Sequence, residues 1–189
     1  MSASRVTLVL GGGRSGKSRY AESLAQAICR DPAGRVYLAT AEPCDEEMRR
    51  RIADHRQDRE ARFVTVEEPL HLGAALRQLP SGTRVVLLDC VTVWLGNLLF
   101  HLPGEAERAA EVAALLEVLE DPPCDLVLVA NETGLGIVPA DPQTRQFRDL
   151  AGRLNQDLAA RADQVVLVVA GIPVRVKGRL PRFKLEERL

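Results

Sequence analysis

The chain has 189 residues, 46% of them hydrophobic and 27% charged, with a formal net charge of −1. This near-neutral balance excludes a general attraction to nucleic acid or anionic lipid, and no apolar run approaches the roughly 20 residues that cross a bilayer. One cytoplasmic domain over residues 1–177 with a charged tail over 178–189 is expected, because no Pro- or Gly-containing stretch is longer than a turn.

Apolar, β-branched runs recur along the chain: RVTLVL (5–10), RVYLAT (35–40), RFVTV (62–66), RVVLLD (84–89), DLVLVA (125–130) and QVVLVVA (164–170). They are continuous rather than alternating, as strands buried on both faces are, and helical patterns separate most of them. The predicted fold class is therefore α/β with a mainly parallel central sheet flanked by helices. Cys29, Cys44, Cys90 and Cys124 form no C-x-x-C pair and are expected as reduced, mostly buried thiols in helix, loop, strand and pre-strand positions.

Directly behind the first strand stands GGGRSGKSRYAE (11–22). Gly11 to Ser18 spell G-x-x-x-x-G-K-S, the spacing of a phosphate-binding loop between a strand and a helix. Gly11, Gly12, Gly13 and Gly16 permit the tight turn, and the whole loop, with Arg14 and Ser15, is a candidate nucleotide site. Lys17 can reach the β- and γ-phosphates of a nucleoside triphosphate, and Ser18 can place its hydroxyl on Mg²⁺. SRYAESLAQAI continues as a helix with Tyr20, Leu24 and Ile28 on one face, a context that a chance match lacks.

Residues 44–60, CDEEMRRRIADHRQDRE, place acids first and arginines after, as a helix dipole favours. On that helix Met48, Ile52 and His55 share a face, and Arg51 and Arg59 flank His55 along it. Arginines and partial burial both disfavour the imidazolium, which suits a nucleotidyl-accepting histidine. The same spacing also describes a solvated arginine face with an idle histidine. His71 and His101 read as capping or packing residues near helix ends, and the scattered histidines do not suggest a zinc site.

Asp89 closes VVLLD, where a phosphate-loop sheet offers a second acidic group to the metal; a helix cap is the other reading. After DLVLVA, Asn131 and Glu132 emerge at the carboxyl end of a strand, the edge where open α/β sheets place ligands. Glu132 reads either as an acid or base on an acceptor hydroxyl or as a solvated loop carboxylate. Farther on, Phe147, Leu150, Leu154 and Leu158 repeat at helical spacing.

In order, GGGRSGKSRYAE, YLATAE, RIADHRQDR, LLDCVTVWLGNLLF, NETGLGIVP and FRDLAGRLNQDLAARADQVVLVVAGIPVRVK resemble the bifunctional adenosylcobinamide kinase / adenosylcobinamide-phosphate guanylyltransferase family of cobalamin biosynthesis. The resemblance runs from about Val6 to Lys177. It implies a RecA-like P-loop domain, a homotrimer, and ATP and GTP as substrates with Mg²⁺. It also implies two reactions: phosphorylation of the aminopropanol hydroxyl of adenosylcobinamide, then transfer of GMP through an enzyme histidine, releasing pyrophosphate. The family's guanylylated histidine matches His55. Its nucleotide contacts fall on Gly11 to Ser18, on Thr40, Ala41 and Glu42, on Arg56, Gln57, Asp58 and Arg59, and on Glu67 and Asp89. Gly13 stands where many members have alanine, Asp54 where some have a second histidine, and Asp89 where some have glutamate. The alternatives are a small-molecule kinase without the guanylyl step, a nucleotide-sensing module, and a RecA-like ATPase or nucleic-acid motor. The neutral charge and 4% aromatic content weigh against the motor.

Overall fold

The computed structural model describes residues 5–42, 62–179 and 183. The helix expected over 44–60, with His55, Arg56, Gln57, Asp58 and Arg59, lies outside the described residues, as does Cys44.

Strands β1 (Val6–Gly11), β2 (Arg35–Ala39), β3 (Val64–Glu67), β4 (Val85–Asp89), β5 (Asp125–Asn131), β6 (Gln164–Val169) and β7 (Ile172–Lys177) form one sheet in the order β3-β2-β4-β5-β1-β6-β7. Every pairing is parallel except that of β6 with β7. The described helices are α1 (Lys17–Ile28), α2 (Leu72–Arg77), α3 (Val91–His101), α4 (Glu105–Glu120) and α5 (Pro142–Arg161). β5 stands between β1, which leads into the phosphate loop, and β4, which ends on Asp89, in the mainly parallel sheet that the sequence predicts.

Successive strand residues point to opposite faces, and in the central strands both sets are apolar, so the sheet has a core on each side. Val86 and Leu88 of β4 and Leu126 and Leu128 of β5 pack with Leu72, Trp94, Leu98, Leu115 and Leu158, from α2 to α5. Val85, Leu87, Val127 and Val129 turn the other way, against Tyr20 and Leu24 of α1. Ile28 does not join them: it is 39% exposed, because the last turn of α1 runs beyond the apolar face.

The last apolar run ends at Ala170, and β7 lies beyond the strands that the sequence predicts. The chain reverses at Ala170 and Gly171, whose φ values of 51° and 81° are those of a two-residue hairpin turn, and returns antiparallel to β6. β7 leaves Ile172 65%, Val174 46% and Val176 62% exposed on an edge of the sheet.

Among the described cysteines, Cys29 follows α1, Cys90 begins the cap of α3 rather than lying in β4, and Cys124 precedes β5; all are free. Burial, and after it the Asp89 carboxylate, pushes the Cys90 thiol up to about 11. Burial and then Asp125 push Cys124 up to about 11 as well. Since the thiolate is the nucleophile, iodoacetamide at pH 8 is expected to modify half-buried Cys29 ahead of both, which peptide mass mapping of the native protein checks.

Candidate active site

The phosphate loop closes β1 and opens α1. Gly16 precedes the helix at φ 93°, and no side chain caps the first turn of α1, so its backbone N–H groups face the loop's concavity. A Cβ on Gly16 would stand 3.2 Å from Gly171 Cα, and one on Gly11 would collide with Ser15 Oγ and approach Val168 O to 2.8 Å. Gly16 is fixed by conformation and by space, Gly11 by space alone. Gly13 is different: a Cβ there meets nothing within 4 Å, which agrees with the expected tolerance of alanine. Arg14 adopts the left-handed conformation, φ 57°, at the loop's exposed tip. The β6–β7 turn braces the loop from outside, Gly171 N donating to Ser15 O at 2.8 Å.

Lys17 is the first residue of α1, and its Nζ donates to Gly12 O at 3.1 Å, folding the ammonium back over the loop. Ser18 follows it on the same turn and is half-buried. Asp89 ends β4, two strand spacings from β1, roughly 10 Å. Alternation places it on the α1 side, like Leu87. Tyr37 of β2 donates its phenol hydrogen to Asp89 Oδ2 at 2.8 Å, fixing the carboxylate's orientation.

Thr40 is wholly buried, and its hydroxyl is spent on the main chain. Oγ1 donates to Cys90 O at 2.9 Å and accepts from Cys90 N at 2.9 Å, tying the end of β2 to the start of α3. Thr40→Val, which keeps the shape and removes both bonds, is expected to cost about 1–3 kcal/mol of stability, read by urea denaturation. Asn97 Nδ2 bonds Thr40 O at 2.7 Å, and Glu42 Oε2 meets His101 Nε2 at 2.6 Å, so α3 holds the segment through Ala41. His71 likewise meets Glu111, Nδ1 to Oε1 at 2.8 Å, at the start of α2.

Glu67 ends β3 on the far edge, four strand spacings from Gly11 or roughly 19 Å, so the sheet does not bring it to the phosphate loop. Glu132 lies beside that loop, its N donating to Gly11 O at 3.1 Å, yet its own Oε1 accepts from Gly134 N at 2.8 Å. The carboxylate is thereby turned onto its own loop. Tyr37, Thr92 and Asn155, which hold the ends of β4 and β5, escape the sequence reading. Asn155 was visible only as a polar residue within the apolar stripe of α5, between Leu154 and Leu158.

The candidate donors, the Ser18 hydroxyl in the first turn of α1 and the Asp89 carboxylate at the end of β4, are hard oxygens suited to a magnesium ion that keeps waters and takes phosphate oxygens. Among the described residues no cluster of three His, Cys, Asp or Glu offers a soft or all-protein metal cage.

A strand–loop–helix phosphate cradle with a strand-end aspartate across one intervening strand defines a P-loop nucleotide-binding protein on a RecA-like α/β sheet. The family described as cobinamide kinase / cobinamide phosphate guanyltransferase matches residues 7–176, and the chain belongs to it. Membership carries the two transfer activities for which that family is named. The bifunctional adenosylcobalamin biosynthesis protein CobP of Pseudomonas aeruginosa is 47% identical over 176 residues, 90% of this chain and 96% of that one. CobU of Escherichia coli, of the same description, is 44% identical over 182 residues, 90% of this chain and 98% of its own. Among solved structures, the flagellar accessory protein FlaH of Methanocaldococcus jannaschii aligns with a TM-score of 0.49 and 10% identity, covering 86% of this chain and 70% of that one.

Proposed function

We propose that this chain phosphorylates the aminopropanol hydroxyl of adenosylcobinamide with ATP or GTP and then guanylylates the product through His55. The observation that carries the reading is the phosphate loop with Lys17, with Asn131 in register with Gly11 and Asp89 at the end of β4 on the same face of the sheet. It occurs in a chain that matches the cobinamide kinase / guanyltransferase family over residues 7–176.

Phosphoryl transfer asks the protein for alignment and charge neutralisation more than for covalent chemistry. The loop amides from Gly11 to Ser18 and the Lys17 ammonium hold the β- and γ-phosphates. Ser18 and Asp89 would hold Mg²⁺, which when bound neutralises charge on the phosphate oxygens. Tyr37 holds one oxygen of the Asp89 carboxylate from β2, which leaves the other for the metal. Ala41, Glu42 and the arginines at 56 and 59 follow the family's pattern for the remaining nucleotide contacts, and Glu67, at the far edge of the sheet, would meet the nucleotide away from its phosphates.

In the second reaction an imidazole nitrogen of His55 bonds to the α-phosphorus of GTP and pyrophosphate leaves. A phosphate oxygen of the phosphorylated substrate then displaces the histidine and receives GMP. Mass spectrometry of the GTP-treated protein tests the scheme: GMP is expected on the peptide carrying His55, and an adduct elsewhere, or none, overturns it.

Residues 1–177 act as one catalytic domain. Phe183 packs on it, its ring 5.3 Å from that of Tyr20. A homotrimer accounts for the exposed apolar edge of β7 and for Leu135 and Ile137, 83% and 96% exposed, which a monomer would leave in water. No described helix is long and apolar enough to cross a membrane.

A further inference from the structure

Thr92 and Asn155 are polar side chains in an apolar core, 8% and 7% exposed. Buried polar groups are costly unless their hydrogen bonds are made, and both of these spend theirs on a single residue. Thr92 Oγ1, from α3, accepts from Asn131 N at 2.7 Å. Asn155 Nδ2, from α5, donates to Asn131 O at 3.1 Å. The next amide, Glu132 N, is bonded to Gly11 O at 3.1 Å. Two helices and the phosphate-loop strand thus fix the end of β5.

Asn131 pairs in register with Gly11, the first residue of the phosphate loop. Alternation along β5 puts its side chain on the face of Val127 and Val129, the α1 side, where Lys17 opens the helix. Its Oδ1 is buried and has no hydrogen-bond partner among the described residues. A rigidly held acceptor left empty beside a phosphate loop calls for a donor that arrives with the ligand.

We infer that Asn131 contacts the substrate in the kinase step, its carboxamide oxygen accepting a hydrogen bond from the alcohol O–H that attacks the γ-phosphate. The inference rests on the loop's holding that phosphate. Glu132, the acid or base suggested by the sequence, is bonded to Gly134 instead. A carboxamide does not take up a proton, so Asn131 orients rather than deprotonates. The alcohol oxygen bonds to the γ-phosphorus as the bond to the β–γ bridging oxygen breaks. The nucleoside diphosphate leaves with that electron pair, and the hydroxyl proton is released to solvent.

Asn131→Leu removes the acceptor at similar size, and Asn131→Thr keeps an acceptor oxygen. The leucine variant is expected to lower kcat for cobinamide phosphorylation about a hundredfold, the scale of losing one aligned polar contact at a reacting centre. ATP affinity, read by equilibrium titration, stays within about threefold, and the threonine variant recovers kcat to within about tenfold of wild type. Asn131→Ala replaces leucine should that variant fail to fold. A leucine variant with wild-type kcat overturns the inference, as does an equal loss of kcat and ATP affinity, which marks a structural role. If wild-type protein itself binds no ATP, the reading of the loop falls as well.

Discussion

Lys17→Ala is expected to lower both phosphorylation and guanylyl transfer by about 10²–10³-fold, with nucleotide affinity falling alongside. The ammonium leaves the Gly12 carbonyl, its 3.1 Å partner here, for phosphate oxygens when nucleotide enters. It exchanges a bond to a neutral acceptor for charge-assisted bonds, roughly twice as strong. Both reactions lose because one loop anchors the triphosphate in each. Stability should change by less than about 0.5 kcal/mol, since the bond surrendered is exposed and local. Lys17→Arg is not expected to rescue, because a planar fork does not fit a loop shaped for a point charge. ATP titration, kcat for each transfer and thermal unfolding together check the expectation; wild-type turnover in the alanine variant removes the loop from the mechanism.

The phosphate loop was legible because its chemistry is contiguous: glycines, lysine and serine within eight positions, bounded by a strand and a helix. Asp89 was legible for the same local reason, as the polar end of an apolar run. What stayed hidden depends on register between distant segments. Nothing near Tyr37 says that its hydroxyl meets Asp89, 52 residues on. Nor does the RVYLAT run reveal that Thr40 spends its hydroxyl on Cys90 rather than facing a ligand. Glu132 outranked Asn131 in the sequence because a carboxylate has catalytic chemistry and a carboxamide has little. The structure reverses their placement through one turn bond and one strand alternation. β7 was missed because an exposed edge strand lacks the doubly buried apolar pattern, although the Ala-Gly turn before it is a hairpin mark.

Replacing His55 by alanine is expected to separate the two reactions, abolishing GMP attachment to the protein while leaving cobinamide phosphorylation within severalfold of wild type. The γ-phosphoryl group passes directly from nucleotide to alcohol, so the first step needs the loop, Lys17 and the acceptor's alignment but no protein nucleophile. Guanylyl transfer divides one displacement into two, and without the imidazole no phosphoramidate forms. That linkage is labile in acid and stable in alkali, so wild-type protein incubated with α-labelled GTP should lose its label in acid alone. The alanine variant should carry none. Lys17→Ala supplies the contrast, since it depresses both reactions. A His55→Ala protein that still transfers GMP would place the nucleophile elsewhere or make the displacement direct. A variant that loses phosphorylation equally would make residue 55 part of the nucleotide site and not the covalent carrier.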